Sequence, residues 1–170
     1  MHIALDPKSK KAICMEVSSG KCADANMAPI LLSGISSSIG KVYADGAYDR
    51  EIVRKACLAR GAKQIIPPNI TAIIHNPSKK NPRGLWKDRN HAVKYMQKHD
   101  NREEGRKQWK KDHSYGVRSL IESFFGRFKA IFGFHFMSRN EISRKNELMI
   151  KIKILNSFID LGGAVFKKVA

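Results

Sequence analysis

The hydrophobic period of a single helix runs through residues 115–129, Tyr-Gly-Val-Arg-Ser-Leu-Ile-Glu-Ser-Phe-Phe-Gly-Arg-Phe-Lys. At about 100° per residue, four polar or charged side chains fall within an arc of roughly 60°. They are Tyr115, Arg118, Glu122 and Lys129. The apolar side chains of the stretch point the other way. We therefore predict one helix with an apolar face toward the core and a polar face that carries chemistry.

The polar face of this helix suits a site that handles phosphate. The Glu122 carboxylate can hold a divalent metal ion, and Arg118 and Lys129 can hold the oxygens of a nucleic-acid backbone. The alternative is an ordinary ion pair between Arg118 and Glu122, one turn apart on a solvated helix face. Considered alone, the helix fits both interpretations.

The spacing Tyr-x2-Arg-x3-Glu-x6-Lys in this helix resembles the signature around the last acidic residue of DDE-type insertion-sequence transposases of bacteria. Upstream, the segment Ala-Asp-Gly-Ala-Tyr-Asp at residues 44–49 resembles the one that carries the second acid of that family. The order and spacing of the pieces agree from Met1 to Asn156. The resemblance favours a metal and DNA site over a surface ion pair.

The resemblance implies an α/β fold, an RNase H-like mixed sheet flanked by helices. It also implies metal-dependent cutting and joining of DNA strands, in which three carboxylates hold two Mg²⁺ or Mn²⁺ ions for an in-line displacement. Asp45 and Glu122 would be catalytic metal ligands. Tyr115, Arg118 and Lys129 would contact the DNA backbone. Taken without the resemblance, Asp45-Gly46 is also a common turn dipeptide with a solvated carboxylate.

The chain departs from the family at the first acid. In the family this acid lies on the first strand of the sheet, whereas residues 2–5 resemble the strand that follows it. Asp6 ends an apolar run and is a candidate substitute, yet Asp6-Pro7 is typical of a turn start; Asp24 is a weaker candidate. We therefore expect a catalytic-domain fragment with an open sheet edge, incomplete or inactive alone. A truncated remnant and a second reading frame completed by an upstream part both fit.

The charge of the chain points to a polyanionic partner. Its 32 Lys and Arg residues outnumber its 15 Asp and Glu residues, which gives a formal net charge of +17. Nucleic acid is the commonest such partner, although a membrane surface or a ribosomal RNA site would also accept this charge. A non-catalytic basic nucleic-acid-binding protein and a stand-alone nuclease of RNase H-like fold therefore remain alternatives to a transposase.

The cysteines, the N-terminus and the hydropathy indicate a cytoplasmic protein. Cys14, Cys22 and Cys57 form no C-x2-C pair, so we expect reduced structural thiols. No signal peptide or membrane span is visible in the sequence. We expect one domain over residues 1–160 and a short tail over 161–170. The expected partners are the element's terminal repeats and target DNA, in association with the bacterial nucleoid; self-association is left open.

The first half of the chain predicts a hairpin followed by a strand–helix–strand unit. Apolar runs at residues 2–6 and 12–17 flank a turn, and a helix is expected from Asp24 or Met27 to Leu32. A strand at residues 41–44 should deliver Asp45 at its end. Asp49 is a plausible N-cap for a helix over 50–60, and residues 64–66 should form the next strand. Tyr48 and Asp49 are predicted to be structural.

The second half predicts a loop over residues 69–84 and a charged helical region in two pieces over 87–111. Between Lys79 and Arg118 there are 13 Lys and Arg residues against 5 Asp and Glu residues, which favours DNA contact although such runs are usually just solvated. Trp86 and Trp109 are expected to anchor this region, with base stacking as the alternative. Residues 139–159 should form a long, largely buried helix.

Overall fold

The structure is a computed structural model that describes residues 1–18, 22–76, 83–133 and 135–162, and it begins with a hairpin. Strands β1 (His2–Leu5) and β2 (Ala12–Glu16) pair in antiparallel orientation. Asp6 closes the turn, because one of its carboxylate oxygens accepts the Ser9 amide at 2.9 Å and the Ser9 hydroxyl at 2.6 Å. The predicted hairpin, and the interpretation of Asp6 as a turn residue, are confirmed.

A strand–helix–strand unit follows the first helix. Helix α1 (Asp24–Ser33) contains Pro29, and it precedes β3 (Lys41–Tyr43). A 3-10 turn (Gly46–Tyr48) then leads into α2 (Glu51–Ala59) and β4 (Lys63–Ile65). Strands β3 and β4 are parallel, as expected for strands joined by a helical crossover. These elements agree with the sequence prediction to within one or two residues.

Asp49 does not cap helix α2, so that prediction is wrong. The N-cap residue is Arg50, which makes no side-chain capping bond. The Asp49 carboxylate instead accepts hydrogen bonds from Arg54, with an Nη2–Oδ1 distance of 2.8 Å, and from Arg89, with an Nε–Oδ2 distance of 3.1 Å. Both arginines are buried. Leaving a buried guanidinium without a counter-charge costs more free energy than leaving a helix end uncapped. Asp49 is therefore structural, as predicted.

The charged region forms a helical hairpin of α3 (Lys87–Gln97) and α4 (Arg102–Asp112). Gly105 allows the two helices to approach closely, since a Cβ atom there would lie 2.8 Å from the Met96 carbonyl oxygen. Trp109 is 2 % exposed, and Trp86 stacks on His75 with ring centroids 4.1 Å apart. The predicted anchoring to a core is confirmed for Trp109, which packs with Ile65 and Ala92, whereas Trp86 stays half-buried. Residues 69–76 form neither helix nor strand, and the rest of the predicted loop up to residue 82 lies outside the described residues.

The stretch at residues 115–129 begins with a 3-10 turn (Tyr115–Arg118) and continues directly as α5 (Ser119–Phe132), so the predicted helix is confirmed except that its first turn is 3-10 and not α. Ser114, in the left-handed region with φ of 52°, changes the direction of the chain after α4.

Helix α6 (Glu141–Asp160) buries only one face, through Leu148, Ile152 and Leu155. Ile142, Ile150 and Phe158 on its other sides are exposed. The prediction of a largely buried helix was therefore wrong, because α5 and the β1–β2 hairpin cover only one side of α6.

The architecture is mixed α/β, as predicted, but the described strands form two separate sheets, β1–β2 and β3–β4. One core cluster lies between α1, α2 and the strands, and includes Leu32, Val53 and Cys57. A second lies between the hairpin, α5 and α6, and includes Phe124, Phe128 and Leu148. Within the described ranges, no helix is long and apolar enough to cross a membrane. The tail predicted at 161–170 lies outside the described residues from 163 onward.

Candidate active site

Asp45 lies two residues after the end of strand β3, where the chain turns toward α2. Its carboxylate Oδ1 accepts the backbone N–H of Ala47 at 2.9 Å, and this bond starts the 3-10 turn. The turn packs tightly, because a Cβ atom on Gly46 would lie 3.3 Å from the carbonyl oxygen of Pro67. The side chain of Asp45 nevertheless stays 41 % exposed. The strand end therefore presents a fixed but accessible carboxylate.

Arg118 joins Asp45 to Glu122. The Arg118 Nη2 donates to Asp45 Oδ2 at 3.3 Å, and its Nη1 donates to Glu122 Oε1. Glu122 lies in the first turn of α5 and is 61 % exposed, while Arg118 is 30 % exposed. We call Asp45, Arg118 and Glu122 the Arg118 cluster. It brings the two predicted catalytic carboxylates together around one cation, which the sequence analysis had assigned to DNA contact.

Tyr115 fastens the 3-10 turn before α5 to the end of β3. Its hydroxyl donates to the carbonyl oxygen of Ala44 at 3.3 Å, next to Asp45. Burial raises the pKa of Tyr115 above its ordinary value. Burial also raises the pKa of the neighbouring Tyr48 to about 12, with smaller contributions from the charges of Asp24 and Asp45. Both phenols therefore stay neutral at physiological pH and add no charge beside the carboxylates.

Lys129 does not join the cluster. It lies two turns beyond Glu122, about 10 Å further along the helix axis. There it lines a separate pocket with residues that include Phe128, His135 and Lys151. The structure thus brings Tyr115, Arg118, Glu122 and Asp45 together, and it places Lys129 further along the same helix.

Two cations that the sequence analysis did not single out approach the cluster from α4. Lys110 Nζ lies 5.2 Å from the ring centroid of Tyr115. Burial lowers the pKa of Lys110, and the nearby charges of Arg106 and Arg118 lower it further. Arg106 Nη2 would be 3.4 Å from a Cβ atom on Gly46. The sequence feature that could have indicated Arg106 and Lys110 is their spacing of one helical turn. Many pairs of surface lysines and arginines have the same spacing.

A third carboxylate does not complete the site within the residues that the structure describes. Asp6 is held in the hairpin turn, and its pKa is lowered by hydrogen bonds from the Ser9 side chain and backbone. Asp24 pairs with His2, with an Nδ1–Oδ1 distance of 3.2 Å. Over residues 1–18, 22–76, 83–133 and 135–162, no group of three or more His, Cys, Asp or Glu side chains could hold a metal ion. The carboxylate oxygens of Asp45 and Glu122 are of the kind that Mg²⁺ prefers, but two carboxylates do not fill the sites of two ions.

The Arg118 cluster lies along a groove of about 910 Å³ between the two sheets. Its apolar walls come from α1 and α5, while its polar lining includes Asp45, Arg118 and Glu122. Ions and phosphate oxygens can therefore reach the carboxylates from solvent. The sequence could not indicate this groove, because it is formed by elements that are distant along the chain.

Comparison with known proteins agrees with the resemblance of the two motifs. Residues 1–157 match the family of the transposase DDE domain, whose members use divalent metal ions. No solved structure matches the chain. The family match includes β3 with Asp45 and α5 with Glu122, the elements that Arg118 connects. The chain therefore belongs to the transposase DDE domain family.

Proposed function

We propose that this chain acts in transposition of an insertion sequence, as part of a catalytic domain of RNase H-like fold whose complete form cuts and joins DNA strands. One observation carries the proposal: Arg118 binds Asp45 and Glu122 at once, although they stand on separate elements. Carboxylates gathered at the end of a strand are a common arrangement for reacting groups in α/β folds. Asp45 and Glu122 would be the catalytic metal ligands.

The complete enzyme would hold two Mg²⁺ or Mn²⁺ ions, for which Asp45 and Glu122 supply part of the ligands. The described residues do not offer a third carboxylate beside them. The Arg118 guanidinium binds both carboxylates instead and offsets one of their two negative charges, at a partly exposed position. We therefore expect this chain alone to bind divalent ions weakly and to leave DNA uncut.

The DNA would run past the cluster across α4 and α5. Arg106 and Lys110 would bind backbone phosphates beside Arg118 and Tyr115, and Lys129 would bind a phosphate further along the strand. Such contacts make affinity fall steeply with salt concentration, because each one releases condensed counterions. The terminal repeats of the element and the target DNA are the proposed partners.

Binding of Mn²⁺ to the intact chain tests the metal site without requiring turnover. Titration followed by the electron paramagnetic resonance of free Mn²⁺ should show weak binding that is lost in Asp45→Asn and in Glu122→Gln. Glu104→Gln, which removes an exposed carboxylate from α4, should bind like the unaltered chain. Binding that survives both site variants would contradict the proposal.

A basic nucleic-acid-binding protein without catalysis is the second candidate, because the charge of +17 alone suffices for it. It predicts DNA binding that is indifferent to Mg²⁺ and to Glu122→Gln.

DNA-binding measurements should also distinguish the contribution of the proposed contacts from the general effect of positive charge. Arg106→Ala and Lys110→Ala should weaken binding more than Lys107→Ala and Lys111→Ala, which remove exposed cations from the same helix. Equal losses in all four variants would favour the second candidate.

A further inference from the structure

The connection between α5 and α6 presents one apolar side chain to solvent. Met137 is 90 % exposed, the largest exposed fraction of any large hydrophobic residue that the structure describes. Single exposed hydrophobic residues are common on protein surfaces and need no function. Two observations distinguish Met137 from an ordinary surface residue: the way in which its backbone is held, and the charges and DNA contacts beside it.

Helix α6 holds the backbone around Met137 in place. Both carboxylate oxygens of Glu147 accept backbone N–H groups, from Met137 at 3.1 Å and from Ser138 at 2.9 Å. Arg144 Nε in turn donates to the carbonyl oxygen of Ser138 at 3.1 Å. We call residues 135–139 the Met137 tip. Its apolar side chain is thus exposed on a backbone that is fixed to a helix.

The segment that contains the Met137 tip is strongly positive. Residues 127–153 contain seven Lys and Arg residues against two Glu residues. The cations are Arg127, Lys129, Arg139, Arg144, Lys145, Lys151 and Lys153. One of the two carboxylates, that of Glu147, is paired with Lys151, at an Nζ–Oε1 distance of 2.6 Å. A surface of this charge is complementary to a polyanion such as DNA.

The Met137 tip lies beside the proposed phosphate contact on α5. Lys129 and Phe136 line the same small pocket, and Phe136 directly precedes Met137. We have proposed that DNA passes the Arg118 cluster and then Lys129. DNA that follows this path along α5 would meet the Met137 tip next.

A fixed apolar side chain among cations suits insertion between base pairs. Proteins that kink DNA from the minor groove insert Phe, Leu, Ile, Met or Pro between neighbouring base pairs, and Arg or Lys side chains bind in the groove beside them. Unstacking a base step costs free energy, which favours an inserted group that is already ordered before it binds. Arg139 is exposed and lies two residues after Met137, where it could enter the groove.

We propose that the Met137 tip binds duplex DNA beside the Arg118 cluster, and that the Met137 side chain inserts between two base pairs and kinks the duplex. Arg139 would lie in the minor groove next to the inserted side chain. The inference rests on the proposed function only for DNA as the partner, because neither metal ions nor cleavage enter it. Pyrimidine–purine steps such as TA are kinked easily, so the tip should favour them.

Bending of a duplex labelled at both ends tests the insertion with the intact chain and without metal. Resonance energy transfer between the end labels of a duplex of about 30 base pairs should rise on saturation with the unaltered chain, because a kink brings the ends closer. Met137→Ala should remove most of this rise. Its affinity for the duplex, measured by anisotropy, should fall at most about threefold, because the cations remain. Undiminished bending by Met137→Ala would overturn the proposal.

Met149→Ala is the matched control. Met149 is 40 % exposed and lies two residues from both Glu147 and Lys151, which places it on the opposite side of α6 from the Met137 tip. This variant should bend the duplex as the unaltered chain does. A loss of bending as large as that of Met137→Ala would overturn the proposal, since it would not depend on the tip.

Local unstacking then locates the insertion. The test duplex has one central TA step between stiff A-tracts, with 2-aminopurine in place of the adenine of that step. The fluorescence of 2-aminopurine rises when its stacking is lost. It should rise with the unaltered chain and with Met149→Ala, and should rise far less with Met137→Ala. The same rise with all three chains would overturn the proposal.

A membrane surface is the other polyanionic partner that an apolar side chain among cations could bind. Sedimentation with vesicles of phosphatidylcholine and phosphatidylserine tests this partner. Vesicle binding that falls in Met137→Ala, together with DNA bending that does not, would overturn the proposal.

Failure of the proposed function would give a different pattern of results. Asp45→Asn and Glu122→Gln should bend DNA as the unaltered chain does, because the Met137 tip does not depend on the metal site. If Mn²⁺ binding survives both of these variants while bending still depends on Met137, the proposed function fails and the inference stands. If Mn²⁺ binding is lost in both variants but the unaltered chain does not bend DNA, the inference fails and the proposed function stands.

Discussion

Asp45 and Asp49 lie four residues apart along the chain, and each belongs to a cluster of carboxylates and arginines. The two clusters differ in burial. In what we call the Asp49 cluster, one carboxylate serves two arginines, Arg54 and Arg89, whose side chains are 0 % and 10 % exposed. In the Arg118 cluster, one arginine serves two carboxylates that are 41 % and 61 % exposed. The same chemical groups therefore occur once in the core and once at the surface of the groove.

The difference in burial separates a structural role from an exchangeable one. Burial lowers the pKa of Arg54, and the charge of Asp49 opposes this shift and keeps the guanidinium protonated. Arg54 also donates to Gln64 Oε1 at 2.9 Å, which ties α2 to β4. In the Arg118 cluster, water can replace any partner at little cost. Its contacts can therefore give way to a metal ion or a phosphate, whereas those of Asp49 cannot.

The largest effect that we expect comes from Asp49→Asn. It removes the counter-charge of two buried arginines, and breaking such a pair costs about 3–5 kcal/mol. The matched change Asp45→Asn breaks an exposed pair and should cost at most about 1 kcal/mol. Urea unfolding of both variants gives the comparison. Similar losses of unfolding free energy in the two variants would refute the distinction between the clusters.

The sequence predicts what depends on neighbours along the chain. The hairpin, the crossover from β3 to α2 and the position of Asp45 near a strand end follow from local patterns of apolar and turn-forming residues. Asp49 shows the limit of such patterns. Its position suits an N-cap, but Arg89 binds it from 40 residues away, and no local pattern contains that competitor.

The candidate site, too, was predictable from the sequence only where it depends on residues close together in the chain. The spacing in residues 115–129 placed Tyr115, Arg118 and Glu122 on one helix face, and all three do lie near the end of β3. The bond between Arg118 and Asp45 spans 73 residues, so the sequence could not show that the arginine serves both carboxylates. The exposed side of α6 escaped prediction for a related reason. Apolar residues on all its faces do not indicate which face the rest of the fold covers.

A smaller effect should follow from Arg118→Gln, which sharpens the comparison at the exposed cluster. Removing a unit charge near a carboxylate changes the local interaction energy by about 1 kcal/mol in water, so Mn²⁺ affinity should rise roughly fivefold. The free energy of unfolding should change by at most about 1 kcal/mol. Arg127→Gln removes the same charge from elsewhere on α5 and serves as the control. Equal affinities in the two variants would mean that Arg118 does not compete with metal.

The smallest effect concerns Glu147, whose carboxylate binds both a cation and backbone N–H groups. It binds Lys151, with an Nζ–Oε1 distance of 2.6 Å, and accepts the backbone N–H groups of Met137 and Ser138. These bonds, with that of Lys151 the strongest, lower the pKa of Glu147 from 4.5 to about 2. A lowered pKa stabilises the fold above about pH 4.5, and this contribution is lost as the pH falls from there to about 2.

Thermal unfolding between pH 6 and pH 2 measures this contribution. The unaltered chain should lose stability with falling pH more steeply than Glu147→Gln, whose side chain does not titrate. Glu141→Gln, on the same helix, should follow the unaltered chain. Parallel pH profiles for the unaltered chain and Glu147→Gln would show that the hydrogen bonds to Glu147 do not hold the connection between α5 and α6 in place. A steeper profile for the unaltered chain would show that this carboxylate, which is 15 % exposed, becomes structural when backbone N–H groups, and not only a cation, bind it.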